Sequence, residues 1–153
     1  MRLTHLHLYH IEDDAGDRDL FERAVRKTGL QVKIEGALDG EQALEHLTLA
    51  PESNLPHLIL LDLNLPKKDG RELLTELKRD ERLKIIPVIV LTTSSSPIDL
   101  ENCYSHGAAC YLVKPIDFGT LSEMIRRMLE FWMSVHFAAH KSNHYRDRTD
   151  SLE

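Results

Sequence analysis

The sequence feature that most constrains the fold is an uninterrupted aliphatic run, Leu58–Leu61, followed directly by the carboxylate of Asp62. Four aliphatic residues without polar alternation are typical of a strand buried on both faces of a parallel sheet. Asp62 would then lie at the carboxyl end of the strand, which is the edge at which open α/β sheets bind ligands. Asn64, Pro66 and Gly70 follow and predict a loop before the next helix. An acid at this position could also be a simple turn cap, so the other segments must decide its role.

The same pattern, an apolar strand that ends in polar residues, recurs along the chain and alternates with amphipathic helical segments. The other strand ends with reactive side chains are Glu12 and Asp13 after Leu6–Ile11, Thr92 after Val88–Leu91, and Lys114 after Tyr111–Val113. A further short strand contains Val32 and Ile34. Short connections that contain a helix require parallel strands with helices on both faces. The sequence therefore predicts a doubly wound α/β sheet of five parallel strands and five helices.

Length and composition suit one domain. We assign residues 1–139 of the 153 to this domain and predict that the polar segment 140–153 is a disordered tail. The net charge of −6 argues against non-specific nucleic-acid binding, and no apolar run is long enough to span a membrane. Without a signal-peptide pattern, a cytoplasmic location is expected. Cys103 and Cys110 are then predicted to be reduced thiols rather than a disulfide or a metal site.

The residues at the strand ends form a chemically matched set once the parallel sheet brings them to one edge. Glu12, Asp13 and Asp62 would repel one another unless a cation joins them. A hard divalent ion such as Mg²⁺ suits a site of this kind. One carboxylate could then act as a nucleophile towards a phosphoryl group, while Lys114 and the Thr92 hydroxyl stabilise the transferring oxygens. The sequence predicts a phosphoryl-acceptor site.

Four motifs together resemble the receiver domain of bacterial two-component response regulators, and the likeness extends from about Leu6 to about Phe137. The motifs are Ile-Glu-Asp-Asp at 11–14, Leu-Leu-Asp-Leu-Asn-Leu-Pro-Lys-Lys-Asp-Gly at 60–70, Val-Leu-Thr-Thr-Ser at 90–94 and Tyr-Leu-Val-Lys-Pro at 111–115. The resemblance implies a flavodoxin-like receiver fold with strand order 2-1-3-4-5 and a cis peptide bond before Pro115. It also implies a phosphoacceptor that assists its own phosphorylation and dephosphorylation, rather than an enzyme with a turnover substrate.

The resemblance assigns a role to each site residue. Asp62 would be the phosphorylated aspartate. Asp13 would bind Mg²⁺ directly, Glu12 would bind it through water, and Asn64 would bind it through the main-chain carbonyl. Thr92 and Lys114 would contact the phosphoryl oxygens, and Tyr111 would be the switch aromatic. Two positions depart from the usual pattern. His10 would be either a hydrogen-bonded histidine or a pH-sensitive neighbour of the acidic pair, and Thr93 would narrow access to the acceptor.

Within the family, three features are similar to the small regulators that pair with bacterial and cyanobacterial phytochromes. They are the sequence motif Leu-Asn-Leu-Pro-Lys-Lys-Asp-Gly-Arg at 63–71, the proline-containing insertion at 51–56 and the Phe131-Trp132 pair. The implied partner is a sensor histidine kinase, with a light-sensing bacteriophytochrome as the specific expectation. Other sensor kinases remain an alternative.

The last helix is predicted to begin after a cap at Asp117 and to extend to about Phe137. Its apolar stripe is longer than one face of so small a sheet covers. We therefore expect Phe131, Trp132 and Val135 to form a homodimer contact. Because only a short polar segment follows, we expect the signal to leave through a surface rather than through an output domain.

Three alternatives remain open at this stage. The chain could be a constitutive dimeric scaffold or a phosphate sink, in which phosphorylation changes no binding surface. It could be a phosphatase with an aspartate nucleophile, although Asn64 replaces the second acid of the usual Asp-x-Asp motif. A flavodoxin-like cofactor binder is disfavoured, because no glycine-rich phosphate loop follows the first strand.

Overall fold

Five parallel strands form the centre of the protein, in the order β2-β1-β3-β4-β5. The computed structural model describes residues 3–135, so the predicted tail at 140–153 and Phe137 lie outside the described residues. The strands are β1 Leu6–Ile11, β2 Val32–Ala37, β3 Leu58–Leu61, β4 Val88–Thr92 and β5 Cys110–Val113. The helices are α1 Ala15–Thr28, α2 Gly40–Leu49, α3 Gly70–Arg79, α4 Pro97–Ser105 and α5 Phe118–Ser134. The predicted fold class and strand order are confirmed.

Helices pack on both faces of the sheet because the strand side chains alternate between two cores. Leu8 and Leu60 face a core that includes Phe21 of α1 and Ile125 of α5. On the other face, strand residues such as Ile59 pack in a second core with side chains from α2, α3 and α4. Strands β3 and β4 are buried along their whole length, as expected for central strands covered on both sides.

Each helix begins with a polar cap close to the carboxyl end of a strand. The side chains of the five caps accept a hydrogen bond from the main chain of the first helical turn; the caps are Asp14, Asp39, Asp69, Ser96 and Asp117. Such caps satisfy amide groups that would otherwise lack partners at a helix start. As a result, the helix amino termini and the strand ends lie on the same edge of the molecule.

The end of α5 differs from the prediction. The helix begins after the Asp117 cap as expected, but it ends at Ser134, since Val135 adopts an extended backbone with φ −81° and ψ 145°. The prediction that the helix extends to about Phe137 is therefore wrong. The Leu3 amide donates to the Met133 carbonyl at 2.9 Å, so the amino-terminal segment occupies one of the last carbonyls of the helix. No helix in the stretch 3–135 is both long and apolar enough to cross a membrane.

The peptide bond before Pro115 also differs from the prediction. Residues 3–135 contain no cis peptide bond, so Lys114–Pro115 is trans and the cis prediction is wrong for this structure. The two isomers of a bond before proline differ by only about 0.5–1 kcal/mol in favour of trans. A sequence motif alone therefore constrains this bond weakly.

The loop between β3 and α3 folds back onto the strand that carries Asp62. The Gly70 amide donates to the Leu63 carbonyl at 2.9 Å. A Cβ atom at Gly70 would lie 2.6 Å from Leu63 Cα and even closer to the Asp62 carbonyl oxygen. Since Cβ atoms do not approach backbone atoms this closely, glycine is required for the loop to close over the strand end.

We predict that Gly70→Ala lowers the free energy of unfolding by about 1–3 kcal/mol, the usual cost of forcing atoms into a packed site. The comparison is Gly16→Ala, in which the new Cβ would meet only the Asp14 side chain, at 3.1 Å. Urea unfolding of both variants beside the parent gives the two values. Equal stabilities for the two variants would contradict the proposed close approach.

Candidate functional site

The carboxyl ends of three strands meet around the side chain of Lys114. Its ammonium Nζ lies 2.9 Å from Glu12 Oε2, 2.9 Å from Asp17 Oδ2 and 2.9 Å from Asp62 Oδ2. An ammonium has three hydrogens to donate, so these three carboxylates can use all of them. Only 12% of the Lys114 side chain is exposed, and a charge removed from water to this extent must be paired and hydrogen-bonded.

Main-chain hydrogen bonds hold these strand ends together. The Asp62 amide donates to the Ile11 carbonyl at 3.1 Å, and the Lys114 amide donates to the Thr92 carbonyl at 2.7 Å. The sheet ladder therefore continues up to the residues that carry the functional groups. Their positions are set by the backbone of the sheet rather than by a flexible loop.

Glu12, Asp13 and Asp62 form an acidic cluster in which one oxygen of each carboxylate lies within 4.8 Å of the other two. Glu12 is 1% exposed and Asp62 is 7% exposed, whereas Asp13 is open to solvent. The Asn64 amide donates to Asp62 Oδ1 at 3.1 Å, which keeps Asn64 beside the cluster. A set of oxygen donors with an excess of negative charge suits a hard divalent cation, so the residues present fit Mg²⁺.

The two buried carboxyl groups respond differently to this environment. Burial, followed by the neighbouring Asp62, raises the pKa of Glu12 against the opposing effect of Lys114. Burial also acts to raise the pKa of Asp62, but hydrogen bonds with Glu12, Lys114 and the Asn64 amide outweigh it and hold that pKa below its usual value. The hydrogen bonds around Asp62 therefore favour its charged form.

Thr92 is the last residue of β4, and Tyr111 lies on the neighbouring strand β5. Thr92 is fully buried, and its hydroxyl accepts a hydrogen bond from the Ser94 amide at 3.3 Å. Tyr111 is half-buried, and its hydroxyl donates to the Ser94 carbonyl at 2.8 Å. Ser94 thus connects the predicted phosphoryl contact to the predicted switch aromatic.

A second charged network joins α3 to α4 close to Ser94. The Nε and Nη2 atoms of the Arg71 guanidinium donate to Oδ1 and Oδ2 of Asp99 at 2.7 and 2.8 Å. The Ser94 hydroxyl donates to Asp99 Oδ2 at 2.7 Å. Arginine binds carboxylates strongly in this bidentate geometry. Through the Ser94 hydroxyl, the ion pair anchors the loop that follows β4.

The structure brings together the residues predicted from the strand ends, and it adds three that the sequence analysis missed. These residues are Asp17, Arg71 and Asp99, to which the sequence analysis assigns no role at the site.

His10 packs against Phe21, with ring centroids 4.4 Å apart. Burial, followed by the nearby Lys114 charge, lowers the pKa of His10 to about 3. The ring is therefore neutral at physiological pH. Its ring makes no hydrogen bond with any residue in the part of the chain that the structure describes, so it is a packed aromatic side chain rather than a pH-sensitive one.

The three predicted dimer-contact residues differ in exposure. Phe131 is 61% exposed, whereas Trp132 and Val135 are half-buried. The rings of Phe131 and Trp132 lie edge to face with centroids 5.3 Å apart. They line a groove of about 900 Å³ together with Leu112 of β5 and Met124 of α5.

The family model of the response regulator receiver domain matches residues 9–126. The match covers most of the 153 residues, and the chain belongs to the response regulator receiver family. The family prediction is confirmed.

Named relatives support the same assignment. The chain is 42% identical over 125 residues to "Probable methanogenesis regulatory protein FilR2" of Methanothrix harundinacea (strain 6Ac), which covers 80% of this chain and 81% of that protein. It is 39% identical over 128 residues to "Response regulator Rcp1" of Synechocystis sp., covering 82% and 87%.

Solved structures of response regulators have the same fold. The phosphorylated cyanobacterial phytochrome response regulator RcpA superposes with a TM-score of 0.80 at 36% identity, covering 87% of this chain and 98% of that chain. The Mn²⁺-bound form of Rcp1 gives a TM-score of 0.80 at 37% identity, covering 88% and 99%. The predicted similarity to this group of regulators is confirmed.

We predict that Asp13→Asn weakens the binding of Mn²⁺, a spectroscopic substitute for Mg²⁺, by more than about 100-fold. The reason is that changes to groups around a metal ligand already cost about 10–100-fold, and Asp13 is predicted to supply a ligand oxygen. Asp14→Asn is the matched control, because asparagine also caps helices well and the Asp14 carboxylate accepts from the Asp17 amide. Titration with free Mn²⁺ measured by electron paramagnetic resonance gives the affinities. Parent-like binding by Asp13→Asn would contradict the predicted metal site.

A second prediction concerns the ion pair between α3 and α4. Arg71, followed by the Ser94 hydroxyl, lowers the pKa of Asp99 to about 2, below the value of about 3.9 expected in an unfolded chain. Asp99→Asn should therefore lower the free energy of unfolding by about 1 kcal/mol at neutral pH, allowing for solvent screening.

Because the folded pKa is depressed, this contribution is fully present above about pH 4 and is lost as the pH falls towards 2. Urea unfolding of the parent and of Asp99→Asn, at about pH 6 and about pH 3, should show the difference between them shrink at the lower pH. A difference that is the same at both pH values would argue against the ion pair.

Proposed function

We propose that this protein is a response regulator that accepts a phosphoryl group on Asp62 from a phosphohistidine of a sensor histidine kinase. The observation that carries the proposal is the contact between Asp62 and Lys114. One oxygen of an ionised carboxylate is 2.9 Å from a buried ammonium, and the other accepts a main-chain amide. A nucleophile placed in this way has positive groups beside the position where phosphoryl charge would develop.

In the proposed reaction, a carboxylate oxygen of Asp62 attacks the phosphorus atom of the donor. A P–O bond forms while the P–N bond to the donor imidazole breaks, and the bonding electrons leave with the imidazole. The Lys114 ammonium and the Thr92 hydroxyl are the groups of this chain that can donate hydrogen bonds to the phosphoryl oxygens. Bound Mg²⁺, held by Glu12, Asp13, Asp62 and the Asn64 carbonyl, would supply further positive charge.

Movement of the loop after β4 would then transmit the signal. A phosphoryl group adds about −1.5 to −2 charges, which would attract the Thr92 hydroxyl away from the Ser94 amide. Since the Ser94 carbonyl is the acceptor of the Tyr111 hydroxyl, the loop and the aromatic side chain would respond together. The surface that changes is the one formed by α4, β5 and α5.

The test of the acceptor is intact-mass analysis after incubation with Mg²⁺ and acetyl phosphate. The parent chain should gain the mass of one phosphoryl group, and Asp62→Asn should gain none, because the amide nitrogen and oxygen of asparagine are poor nucleophiles. Asp69→Asn, which removes an acid that pairs with Arg71 instead of Lys114, should still be phosphorylated. Equal phosphorylation of the parent and Asp62→Asn would overturn the assignment.

We further propose a bacteriophytochrome-type kinase as the donor, supported by the similarity to Rcp1 and RcpA. Such a donor would place the protein in the cytoplasm, where the kinase has access to ATP. A phosphorylated phytochrome kinase should transfer its phosphoryl group to Asp62 at rates that depend on red or far-red illumination. Transfer that is insensitive to light would favour another class of sensor kinase.

Homodimer formation through the end of α5 is the proposed output, supported by the exposure of Phe131 at the edge of the apolar groove. The ring is 61% exposed, and an aromatic side chain of this kind contributes strongly when a partner buries it. The proposed domain, 1–139, includes this helix.

We predict that Phe131→Glu shifts the association equilibrium towards monomer, because a partner would have to bury the new charge. Leu49→Glu is the control: Leu49 is 75% exposed at the end of α2, on the opposite face of the sheet. Sedimentation velocity of both variants, before and after phosphorylation, gives their association states. A dimer that is unchanged by Phe131→Glu would rule out this contact, and a dimer that is insensitive to phosphorylation would favour a constitutive scaffold.

A further inference from the structure

Asp17 is bonded to the site lysine but stands apart from the acidic cluster. Its Oδ2 atom lies 2.9 Å from Lys114 Nζ, whereas the cluster of possible metal ligands contains Glu12, Asp13 and Asp62. Asp17 comes from the first turn of α1 and not from a strand end. The ammonium is therefore held by a helix residue, Asp17, as well as by Glu12 and Asp62, which follow strands β1 and β3.

The other two carboxylates bonded to Lys114 each have a second task. In the proposed reaction Asp62 becomes an acyl phosphate, so its carboxylate charge is lost and its negative charge moves to the phosphoryl oxygens. Glu12 is needed on the metal side of the site. Asp17 has neither task, so it is the acceptor that can stay bonded to the ammonium before and after transfer.

A lysine side chain needs such a fixed acceptor if it is to point reliably at a new group. The side chain has four rotatable bonds and loses much rotamer freedom when it is held. The side chain of Asp17 is 41% exposed and that of Lys114 is 12% exposed, so Asp17 is the most solvent-accessible of the three carboxylates bonded to the ammonium. The neighbouring pair Asp19 and Arg23, on the same helix, is more than half exposed on both sides, and Asp19 makes no contact with the site in residues 3–135.

We propose that Asp17 is a positioning residue: it holds the Lys114 ammonium beside Asp62, so that the hydrogen now bonded to Asp62 stays directed at the position where the phosphoryl oxygens will lie. The inference rests on the proposed function of Asp62 as the phosphoryl acceptor. It assigns Asp17 a role in the rate of phosphoryl transfer, although Asp17 contacts neither the phosphoryl group nor the metal.

The first test observes the ammonium directly in the metal-free protein. In protein labelled with ¹⁵N-lysine, the Lys114 ammonium should give a detectable Nζ signal, because held ammonium hydrogens exchange with water more slowly than free ones. Lys114→Gln identifies the signal by its loss. The signal should broaden in Asp17→Asn and stay unchanged in Asp19→Asn. An identical signal in Asp17→Asn and the parent would overturn the inference.

The second test measures the initial rate of phosphorylation by acetyl phosphate at saturating Mg²⁺. Asp17→Asn should be slower than the parent by about three- to tenfold, since an amide oxygen accepts a weaker hydrogen bond from an ammonium than a carboxylate does. Asp19→Asn, which removes the same charge from the same helix, should react at the parent rate. A rate for Asp17→Asn equal to or above that of Asp19→Asn would overturn the positioning role.

A double mutant separates positioning of Lys114 from a general effect of charge. In the Lys114→Gln background, adding Asp17→Asn should cause no further slowing, because the group that Asp17 positions has been removed. The same fold loss in both backgrounds would show that Asp17 acts independently of Lys114 and would overturn the inference.

If the parent chain takes no phosphoryl group, the proposed function fails, while the ammonium signal still decides whether Asp17 holds Lys114.

Discussion

The interaction on which the rest of the site depends is the set of three hydrogen bonds from the Lys114 ammonium to carboxylates. Glu12, Asp17 and Asp62 come from three different elements, and their negative charges would repel one another without a cation between them. Lys114 is fixed in turn by its amide, which bonds to Thr92 of β4. One buried cation thus joins β1, β3 and β5 at the edge of the sheet, and it leaves an excess of negative charge that a divalent ion can neutralise.

A continuous set of short contacts leads from this edge towards the outer surface. The Ser94 amide and carbonyl bond to Thr92 and Tyr111, while its hydroxyl bonds to Asp99. The loop after β4 is therefore held on one side by the residues next to the acceptor and on the other by the ion pair of Arg71 and Asp99. A change of charge at Asp62 would act on a loop whose alternative positions are limited by packed neighbours, which is what a two-state switch requires.

The sequence predicted the sheet and most of the site because both depend on local patterns. Aliphatic runs identify the buried strands, and the parallel topology then places Asp62, Thr92 and Lys114 on one edge whatever their separation along the chain. Asp17 could not be recognised in this way, since an acid in a first helical turn is usually a solvated residue, and its partner Lys114 is 97 positions away. The end of α5 at Ser134 was also missed, because the apolar stripe continues past the residue where the backbone becomes extended.

The measurement that tests the central claim most directly is the location of the phosphoryl group on the chain. Reduction of the phosphorylated protein with borohydride converts an aspartyl phosphate to homoserine, and peptide mass spectrometry then identifies the position. The account predicts homoserine at position 62, none at Asp13, and no conversion of the Glu12 side chain to the corresponding longer alcohol. Homoserine at another position, or a stable phosphoryl group that leaves Asp62 unmodified, would contradict it.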